Sequence, residues 1–330
     1  MGIQRRVTAF LSILSALTIT LTLAGCGLLG GEETPAAQGD QQRQRVKVAI
    51  LPTMDVVPLQ LAIDAGYFAE EGLEVETVTA ASGADCVTKL AAGEVQFAFS
   101  SFTPFFVAKA KNAADVRLVA DATSAAPGYA VVVTMPNSPI ASINDLAGKR
   151  VAITARFTIS HLLVQAQLKA AGMDPDGVQW VELPFPQMPA QLSAGQIDAA
   201  FFVEPFLQQA KRTLGARPLF DTLAGPTAHL GLTGYGATAP FVDANKDAVA
   251  AFQRALKRAT DEVRADRSKV DPLLMKIAKV DAETAKQTTL TEFVSDLDSA
   301  RIQPVVDMMV EFKALEQGFD VDDMIVRPQA

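Results

Sequence analysis

The chain has few of the residues that most often carry covalent or metal chemistry. Its 330 residues include two cysteines, two histidines and one tryptophan. No Cys-x-x-Cys pair occurs, and His161 and His229 are far apart with no partner at a zinc-type spacing. We therefore expect no metal and no cofactor. An enzyme would need a nucleophile, an acid–base pair or a metal set, and none has a recognisable spacing here.

Clusters of positive charge are also missing. The chain has 37 acidic and 29 basic residues, which gives a net charge of −8, and no basic stripe interrupts this balance. Nucleic-acid binding requires clustered Lys and Arg, so nucleic acid is not expected as a partner. Hydrophobic residues make up 49% of the chain and charged residues 20%, which predicts a packed chain long enough for two lobes.

Residues 1–26 have the pattern of a targeting signal. Arg5 and Arg6 precede an almost unbroken apolar run that ends in Leu23-Ala24-Gly25-Cys26. The pattern resembles a bacterial lipoprotein signal, in which the peptide before the cysteine is removed and the thiol receives a diacylglyceryl group. A transmembrane anchor is the alternative, but the run is short for a span of about 20 residues.

We therefore expect a signal peptide at residues 1–25, a lipidated Cys26, and attachment to the extracytoplasmic face of the cell membrane. Residues 26–45 are rich in Gly, Gln, Glu and Pro, which predicts a flexible tether. Cys86 would then have no disulfide partner, and because it lies in a helical pattern we interpret it as a small core residue.

An internal repeat predicts the architecture. Residues 89–99 recur, with similar residue types in the same order, as residues 191–201. Each copy predicts the end of a helix, a capping glycine, a short buried strand and a helix start. Upstream, a strand around Val48 matches a strand around Val151. Two βαβαβ units predict an α/β fold with two similar lobes, a hinge and a central ligand cleft.

The order of the elements predicts a discontinuous first lobe. Residues from 241 onward are almost entirely helical in pattern, so we expect them to pack on the first lobe. The first lobe would comprise residues 46–128 and 237–330, and the second lobe residues 129–236. The segments near 116–134 and 231–238 would cross between the lobes and form the hinge.

Three stretches, taken in order, resemble one known family. They are Pro58-Leu59 with Gly66-Tyr67-Phe68, then Asp145-Leu146-Ala147-Gly148-Lys149, then Gly195-Gln196-Ile197-Asp198 with Glu204-Pro205. Over most of residues 46–270 the chain is similar to the nitrate/sulfonate/thiamine-precursor group of substrate-binding proteins of ABC importers. This resemblance implies the type II periplasmic-binding-protein fold. It also implies a monomer that captures a small molecule between closing lobes, delivers it to a permease and its ATPase, and performs no covalent chemistry.

Ligands of open α/β sheets bind at the carboxyl ends of the strands, and this rule selects the candidate site. In the first lobe the selected residues are Thr53, Asp55, Ser82, Ser100, Ser101 and Phe102. In the second lobe they are Arg156, Phe157, Thr158, Phe202 and Glu204, with Tyr235 near the returning crossover. The same rule marks Met54, Gly83, Thr103, Ser160 and Phe185.

The residue types at these positions predict the ligand class. Phenyl rings and hydroxyls dominate, and the acids Asp55 and Glu204 face one base, Arg156. Rings supply flat apolar faces and hydroxyls fix orientation, which favours a planar, nitrogen-rich heterocycle. A riboflavin-like ligand is favoured. A thiamine pyrimidine comes next, because residues 51–55 depart from the Asp-Trp-x-Pro-Asn run of the thiamine-precursor branch.

Several alternatives stay open. A sulfonate, taurine or nitrate site would favour more cationic or helix-terminal donors, and a pyrimidine-synthase-like enzyme on the same fold is a further alternative. A sensing domain would need an output segment after residue 330. Phe102 and Phe202 fit either a core or a ligand contact, Glu204 could begin a helix, and Arg156 could pair with an acid on the surface. Phe97, Phe99, Phe201 and Trp180 are expected in the core.

Overall fold

The computed structural model describes residues 43–328 of the chain. The expected signal peptide, the lipidation site at Cys26 and residues 26–42 of the expected tether lie outside these residues. Gln44 and Arg45, which the sequence assigns to the tether, instead begin the first strand and pair with Leu73 and Glu74. Within residues 43–328, no helix combines the length and apolar character needed to span a membrane.

The first lobe is built on a six-stranded sheet. Its elements before the first crossing are β1 Gln44–Ile50, α1 Val57–Asp64, α2 Tyr67–Glu70, β2 Leu73–Thr79, α3 Gly83–Ala91, β3 Phe97–Ser101, α4 Phe102–Ala110 and β4 Val116–Ser124. Strand β1 pairs in parallel with both β2 and β3. The chain leaves this sheet after β4.

The second lobe is built on a five-stranded sheet. Its elements are β5 Ala130–Thr134, β6 Arg150–Ile153, α5 Ile159–Ala170, β7 Gln179–Glu182, α6 Met188–Ser193, β8 Ala199–Val203, α7 Phe206–Leu214 and β9 Arg217–Asp221. Strand β6 pairs in parallel with β7 and β8, and β5 is antiparallel to β8 and β9.

The chain then returns to the first lobe. The remaining elements are β10 Gly231–Thr238, α8 Ala239–Ala244, α9 Lys246–Ala265, α10 Val270–Ala278, α11 Ala282–Gln287, β11 Glu292–Phe293 and α12 Ser299–Glu311. The first sheet has the order β11-β4-β10-β3-β1-β2 and the second β7-β6-β8-β5-β9. Apart from the short β11, the two orders correspond strand for strand, and the prediction of a two-lobed α/β fold is confirmed.

The strand β10 corrects one lobe boundary. The sequence places the return to the first lobe at residue 237, but β10 begins at Gly231 and pairs along its length with β3 and β4 of the first sheet. The return therefore lies before Gly231. The pairing of β10 with β4 has register shifts around Thr233 and Tyr235, so side chains along this strand do not alternate regularly between the two faces.

The C-terminal helices contact both lobes. Helix α9 packs on α1 and α2 of the first lobe, and the rings of Phe68 and Phe252 stack at 5.3 Å. Helix α11, however, packs on α7 of the second lobe, where Gln208 donates a 2.7 Å hydrogen bond to Gln287. The tail therefore packs on the first lobe as expected, and α11 adds a contact with the second lobe that the sequence did not predict.

Candidate functional site

A small cavity of about 50 Å³ lies between the two lobes, at the carboxyl ends of the parallel strands. Its walls are mostly apolar, with one carboxylate and several hydroxyls. No Lys, Arg or His is among the described residues that line it. The lining residues are Leu51, Thr53, Asp55, Gly83, Phe99, Ser101, Tyr129, Ala130, Thr154, Thr158, Ile159, Ser160, Leu163, Phe185, Phe201, Val203, Leu232 and Thr233.

Asp55 is the charged group of this cavity, and three hydroxyls hold it. Its Oδ1 accepts hydrogen bonds from Thr123 at 2.8 Å and Thr233 at 3.1 Å, and its Oδ2 accepts one from the Tyr129 hydroxyl at 2.5 Å. A carboxylate has about four acceptor positions. One position on Oδ2 therefore remains for a donor from a ligand.

Tyr129 ties this carboxylate to the crossing between the lobes. Burial, followed by the charge of Asp55, raises the pKa of Tyr129 well above its ordinary value, so its hydroxyl stays protonated and donates. The backbone N–H of Glu204 donates a hydrogen bond to the Tyr129 carbonyl. The backbone N–H of Met54, which precedes Asp55, donates a hydrogen bond to the Glu204 carbonyl. Together with the Tyr129–Asp55 bond, these hydrogen bonds form a closed network that links the two lobes.

The second lobe contributes a cluster of hydroxyls at the start of α5. Thr154, Thr158 and Ser160 hydrogen-bond to one another through their side-chain oxygens at 2.8–3.1 Å. The backbone N–H of Ile159 donates across the cavity to Ser101 Oγ at 3.3 Å. Because the first N–H groups of a helix carry partial positive charge, this corner attracts acceptor atoms.

Five buried hydroxyls have no hydrogen-bond partner within residues 43–328, and two of them lie at the carboxyl ends of the parallel strands β1 and β3. These two are Thr53 Oγ1, on a residue that lines the cavity, and Ser100 Oγ. The backbone of Gly83 approaches Ser100 so closely that a Cβ on residue 83 would stand 2.5 Å from Ser100 Oγ. The neighbouring Ser82 does not line the cavity but caps α3, where its hydroxyl accepts from Asp85 N.

The structure brings together seven of the residues that the strand-end rule marked: Thr53, Asp55, Gly83, Ser101, Thr158, Ser160 and Phe185. Phe102, Phe202 and Tyr235 do not line the cavity. The Phe102 ring packs against the backbone of Gly234, so closely that a Cβ on residue 234 would lie 2.7 Å from the ring. Phe202 is fully buried. Tyr235 packs on Phe99 at 5.5 Å, in the core behind the cavity.

Arg156 and Phe157 are also outside the cavity. The Arg156 side chain is half exposed and lies 3.7 Å from Glu182, so it pairs with a surface acid and not with Asp55. Phe157 is 40% exposed and faces away from the cavity, over helices α3 and α4 of the first lobe. The expectation that Asp55 and Arg156 face each other across the ligand site is therefore wrong.

Glu204 joins the lobes and does not line the cavity. Its side chain is buried, with Oε2 accepting from Gln208 N at 3.1 Å and Oε1 accepting from Thr289 N, in the C-terminal region, at 3.2 Å. Burial raises its pKa to about 7, against the opposing effect of these two N–H groups. Glu204 therefore contributes to the interface between β8 and the segment after α11.

Sequence reasoning missed Tyr129, Thr123, Thr233 and Thr154. Thr154 directly follows β6, so the strand-end rule could have selected it. Thr123 and Thr233 lie on the antiparallel strands β4 and β10, to which that rule does not apply. Tyr129 lies in the crossing between β4 and β5, where no periodic pattern indicates which side chain turns inward.

A larger groove of about 280 Å³ lies on the first lobe, beside α9 and residues 325–328. Its basic side chains are already paired: Arg254 with Glu71, Lys257 with Asp261 and Asp296, and Arg327 with Asp322. A ligand in this groove would therefore have to compete with these ion pairs for the basic side chains.

Comparison with known proteins agrees with this geometry. The chain is 29% identical to a putative ABC transporter periplasmic binding protein of Brachyspira hyodysenteriae, over 61% of this chain and 59% of the relative. It is 28% identical to the formylaminopyrimidine-binding protein of Halalkalibacterium halodurans, over 57% of this chain and 54% of the relative. The chain thus spans a little over half the length of these curated relatives.

A solved structure shows the same fold. The alkanesulfonate-binding protein of Xanthomonas axonopodis pv. citri, bound to MOPS, has a TM-score of 0.74 over 87% of this chain and 98% of its own, at 18% identity. A family model described as NMT1/THI5 like matches residues 53–269, well over half of the sequence. The chain therefore belongs to the NMT1/THI5-like family.

Proposed function

We propose that the protein is the extracytoplasmic solute-binding protein of an ABC importer, which captures a small ligand between its lobes and delivers it to a permease. The observation that carries this proposal is the cavity between the lobes, to which both sheets contribute lining residues. Hinged lobes of this kind close around a ligand. The relatives and the fold support the same role.

Binding without chemical conversion agrees with the lining. The titratable side chains of the cavity are Asp55 and Tyr129, and they hydrogen-bond to each other. His161 lies outside this lining and is buried against Trp180, with ring centroids 4.7 Å apart. The described lining thus has no histidine, lysine or cysteine, and the hydroxyls of Tyr129 and Thr233 hold the Asp55 carboxylate in place.

The ligand that fits this cavity best is a one-ring heterocycle of the aminopyrimidine type. The remaining acceptor position of Asp55 suits a ring N–H or amino group, and Thr53 Oγ1 can bond a second polar atom. Phe99, Phe185 and Phe201 supply flat apolar faces. The cavity of about 50 Å³ is smaller than the roughly 150 Å³ of a cavity that binds benzene, so the lobes must open further to admit any ring. A one-ring ligand requires less opening than the riboflavin-like ligand expected from the sequence and is therefore favoured.

A taurine-like zwitterion or small sulfonate is the second candidate. The hydroxyls of Thr154, Thr158 and Ser160 lie at the N-terminus of α5, where an anionic group is stabilised. The ammonium of a zwitterion could occupy the free position on Asp55. A plain anion such as nitrate is less favoured, because the described lining has a carboxylate and no basic side chain.

A thermal-shift and calorimetric screen of the full chain separates these ligand classes. The panel contains 4-amino-5-hydroxymethyl-2-methylpyrimidine, riboflavin, taurine, an alkanesulfonate and nitrate. We expect the aminopyrimidine to raise the melting temperature most and to bind with one-to-one stoichiometry. A shift confined to taurine and the sulfonate would replace the heterocycle by the second candidate. No binding by any member would contradict the proposed ligand classes.

We also propose that Cys26 carries the lipid that holds the protein at the membrane. The support is the Leu-Ala-Gly-Cys sequence after the apolar run. Replacement of Cys26 by Ala is expected to release the protein from the membrane fraction, because the acyl chains supply the attachment. Cys86→Ala is the matched control, since Cys86 is buried in the core. Full membrane retention of Cys26→Ala would contradict the lipid anchor.

A further inference from the structure

The turn that begins α5 has two faces with different contacts. Thr154, Thr158 and Ser160 face the cavity, whereas Arg156 and Phe157 extend over helices α3 and α4 of the first lobe. We propose that Phe157 and Lys111 form a clasp between the lobes that stabilises the closed conformation and slows ligand release. This inference rests on the proposed binding function and assigns a positioning role to two residues outside the cavity.

The geometry of Phe157 is the first observation. Its φ of +61° lies in the left-handed region, which is unfavourable for a bulky residue and persists only where the surroundings enforce it. Its backbone N–H donates to His161 Nδ1 at 3.4 Å, and the two rings meet edge to face at 6.2 Å. His161 thus holds the Phe157 ring out from the second lobe.

Lys111, on the first lobe, is the second observation. It follows the last residue of α4, and its Nζ lies 5.6 Å from the centre of the Phe157 ring, within the range of a cation–π contact. Lys111 forms no ion pair among residues 43–328. In this part of the chain its ammonium group contacts the Phe157 ring and no carboxylate. Lys111, Phe157 and helices α3 and α4 line a groove of about 320 Å³.

The clasp is connected to the cavity through one short turn. Ile159, two residues after Phe157, donates its N–H across the cavity to Ser101, and Thr158 between them lines the cavity. When the lobes separate, the Ser101–Ile159 bond and the Lys111–Phe157 contact are lost together. A ligand that draws this turn toward the first lobe therefore also forms the clasp, and the coupling is reciprocal.

His161 remains suited to its supporting role near neutral pH. Burial, with a smaller effect of the nearby Arg156, lowers its pKa to about 4, so the ring is neutral and Nδ1 can accept from Phe157. The other charged groups around Phe157 are Lys111, over its ring, and Glu182, which pairs with Arg156. The position of Phe157 is therefore expected to change little between pH 6 and 8.

The test measures lobe closure directly, with and without ligand. Dyes are placed on the full chain at Glu94→Cys and Gln196→Cys, exposed positions that correspond in the two copies of the repeat, in a Cys26→Ser background. Single-molecule energy transfer then gives the closed fraction, and stopped-flow mixing gives the release rate of 4-amino-5-hydroxymethyl-2-methylpyrimidine. Lys111→Gln removes the cation, Phe157→Ala removes the ring, and Phe157→Gly removes the ring while relaxing the backbone.

We expect Lys111→Gln to lower the closed-to-open ratio about 2- to 5-fold, the range that an exposed cation–π contact gives. Phe157→Ala and Phe157→Gly are expected to lower it at least as much, and Lys111→Gln should add nothing in the Phe157→Ala background. The matched control is Lys109→Gln, since Lys109 makes the same kind of contact with Phe319 inside the first lobe. It should leave closure unchanged.

The outcomes separate the clasp from the proposed ligand. A fall in the closed fraction of the ligand-free Lys111→Gln protein supports the clasp even if the aminopyrimidine does not bind. A closed fraction equal to that of the Lys109→Gln control, for both Lys111→Gln and Phe157→Gly, would overturn the clasp even if the ligand binds as proposed.

Discussion

Gly83 illustrates how a single residue can set the approach of two elements at the cavity. A Cβ on this residue would stand 2.5 Å from Ser100 Oγ but 3.6 Å from Ser100 Cβ, which is an ordinary contact. We expect Gly83→Ala to lower the free energy of unfolding by about 1–3 kcal/mol, the usual effect of overpacking. In a Ser100→Ala background the same change should lower it by less than about 1 kcal/mol, because the clashing oxygen is gone. Urea unfolding of the four proteins measures both effects, and equal losses in the two backgrounds would contradict this explanation.

Glu204 makes the stability of the protein depend on pH. Its folded-state pKa is raised from 4.5 to about 7, so between these values the folded chain holds a proton that the unfolded chain has lost. Stability from this group is therefore present below pH 4.5 and lost as the pH rises toward 7, by roughly 3 kcal/mol for a shift of this size.

The substitution Glu204→Gln removes this dependence. We expect the difference in unfolding free energy, variant minus parent, to be larger at pH 8 than at pH 4.5. This holds even if Glu204→Gln is less stable than the parent at both pH values. Urea unfolding of both proteins at the two pH values gives the difference. If that difference did not change with pH, the raised pKa assigned to Glu204 would be wrong.

At the scale of whole elements, the sequence predicts which strands end at the cavity but not which side chains turn into it. Phe201 and Val203 line the cavity whereas Phe202 between them does not, and Phe99 and Ser101 line it whereas Ser100 does not. Strand side chains alternate between faces, so neighbouring residues at one strand end point in opposite directions. A rule based on position in the chain cannot separate them until the packing face is known.

The irregular strand β10 limits the prediction further. Thr233 lines the cavity, but Tyr235, two residues later, packs in the core. The register shifts between these residues interrupt the alternation. Gly234 and Gly236 adjoin these shifts, and a glycine within a strand is the signal that could have indicated a bulge. Tyr129 lies in a short crossing without regular structure, so its bond to Asp55 became visible only in three dimensions.

The two copies of the repeat make an element-scale prediction. Gly93 after α3 and Gly195 after α6 have φ values of +75° and +65°, which a residue with a side chain adopts unfavourably. We expect Gly93→Ala and Gly195→Ala each to lower the free energy of unfolding by about 1–2 kcal/mol, with additive effects in the double variant. Gly177→Ala is the control, because its φ is not in that region and nothing crowds its Cβ position. Thermal or urea unfolding measures these values, and a loss in Gly177→Ala equal to the others would contradict the explanation.

At the scale of the whole molecule, the matching strand orders place two similar sheets around one cavity. The α/β architecture and the two lobes followed from the repeat, because matching residue patterns predict matching elements. The bridging contact of α11 with α7 did not, since an amphipathic helix does not reveal which neighbour it packs on. The last residue of each copy, Phe99 and Phe201, lines the cavity, and so does the second residue beyond each copy, Ser101 and Val203.

The central claim is that the cavity between the lobes binds its ligand through Asp55. Isothermal titration calorimetry of 4-amino-5-hydroxymethyl-2-methylpyrimidine with the full chain, Asp55→Asn and the exposed control Asp243→Asn tests it most directly, with thermal unfolding of each variant measured alongside. We expect Asp55→Asn to weaken binding about 10- to 100-fold, because a hydrogen bond to a charged acceptor is lost, while Asp243→Asn binds like the parent protein. If folded Asp55→Asn bound the aminopyrimidine as tightly as the parent, the site assigned here would be wrong.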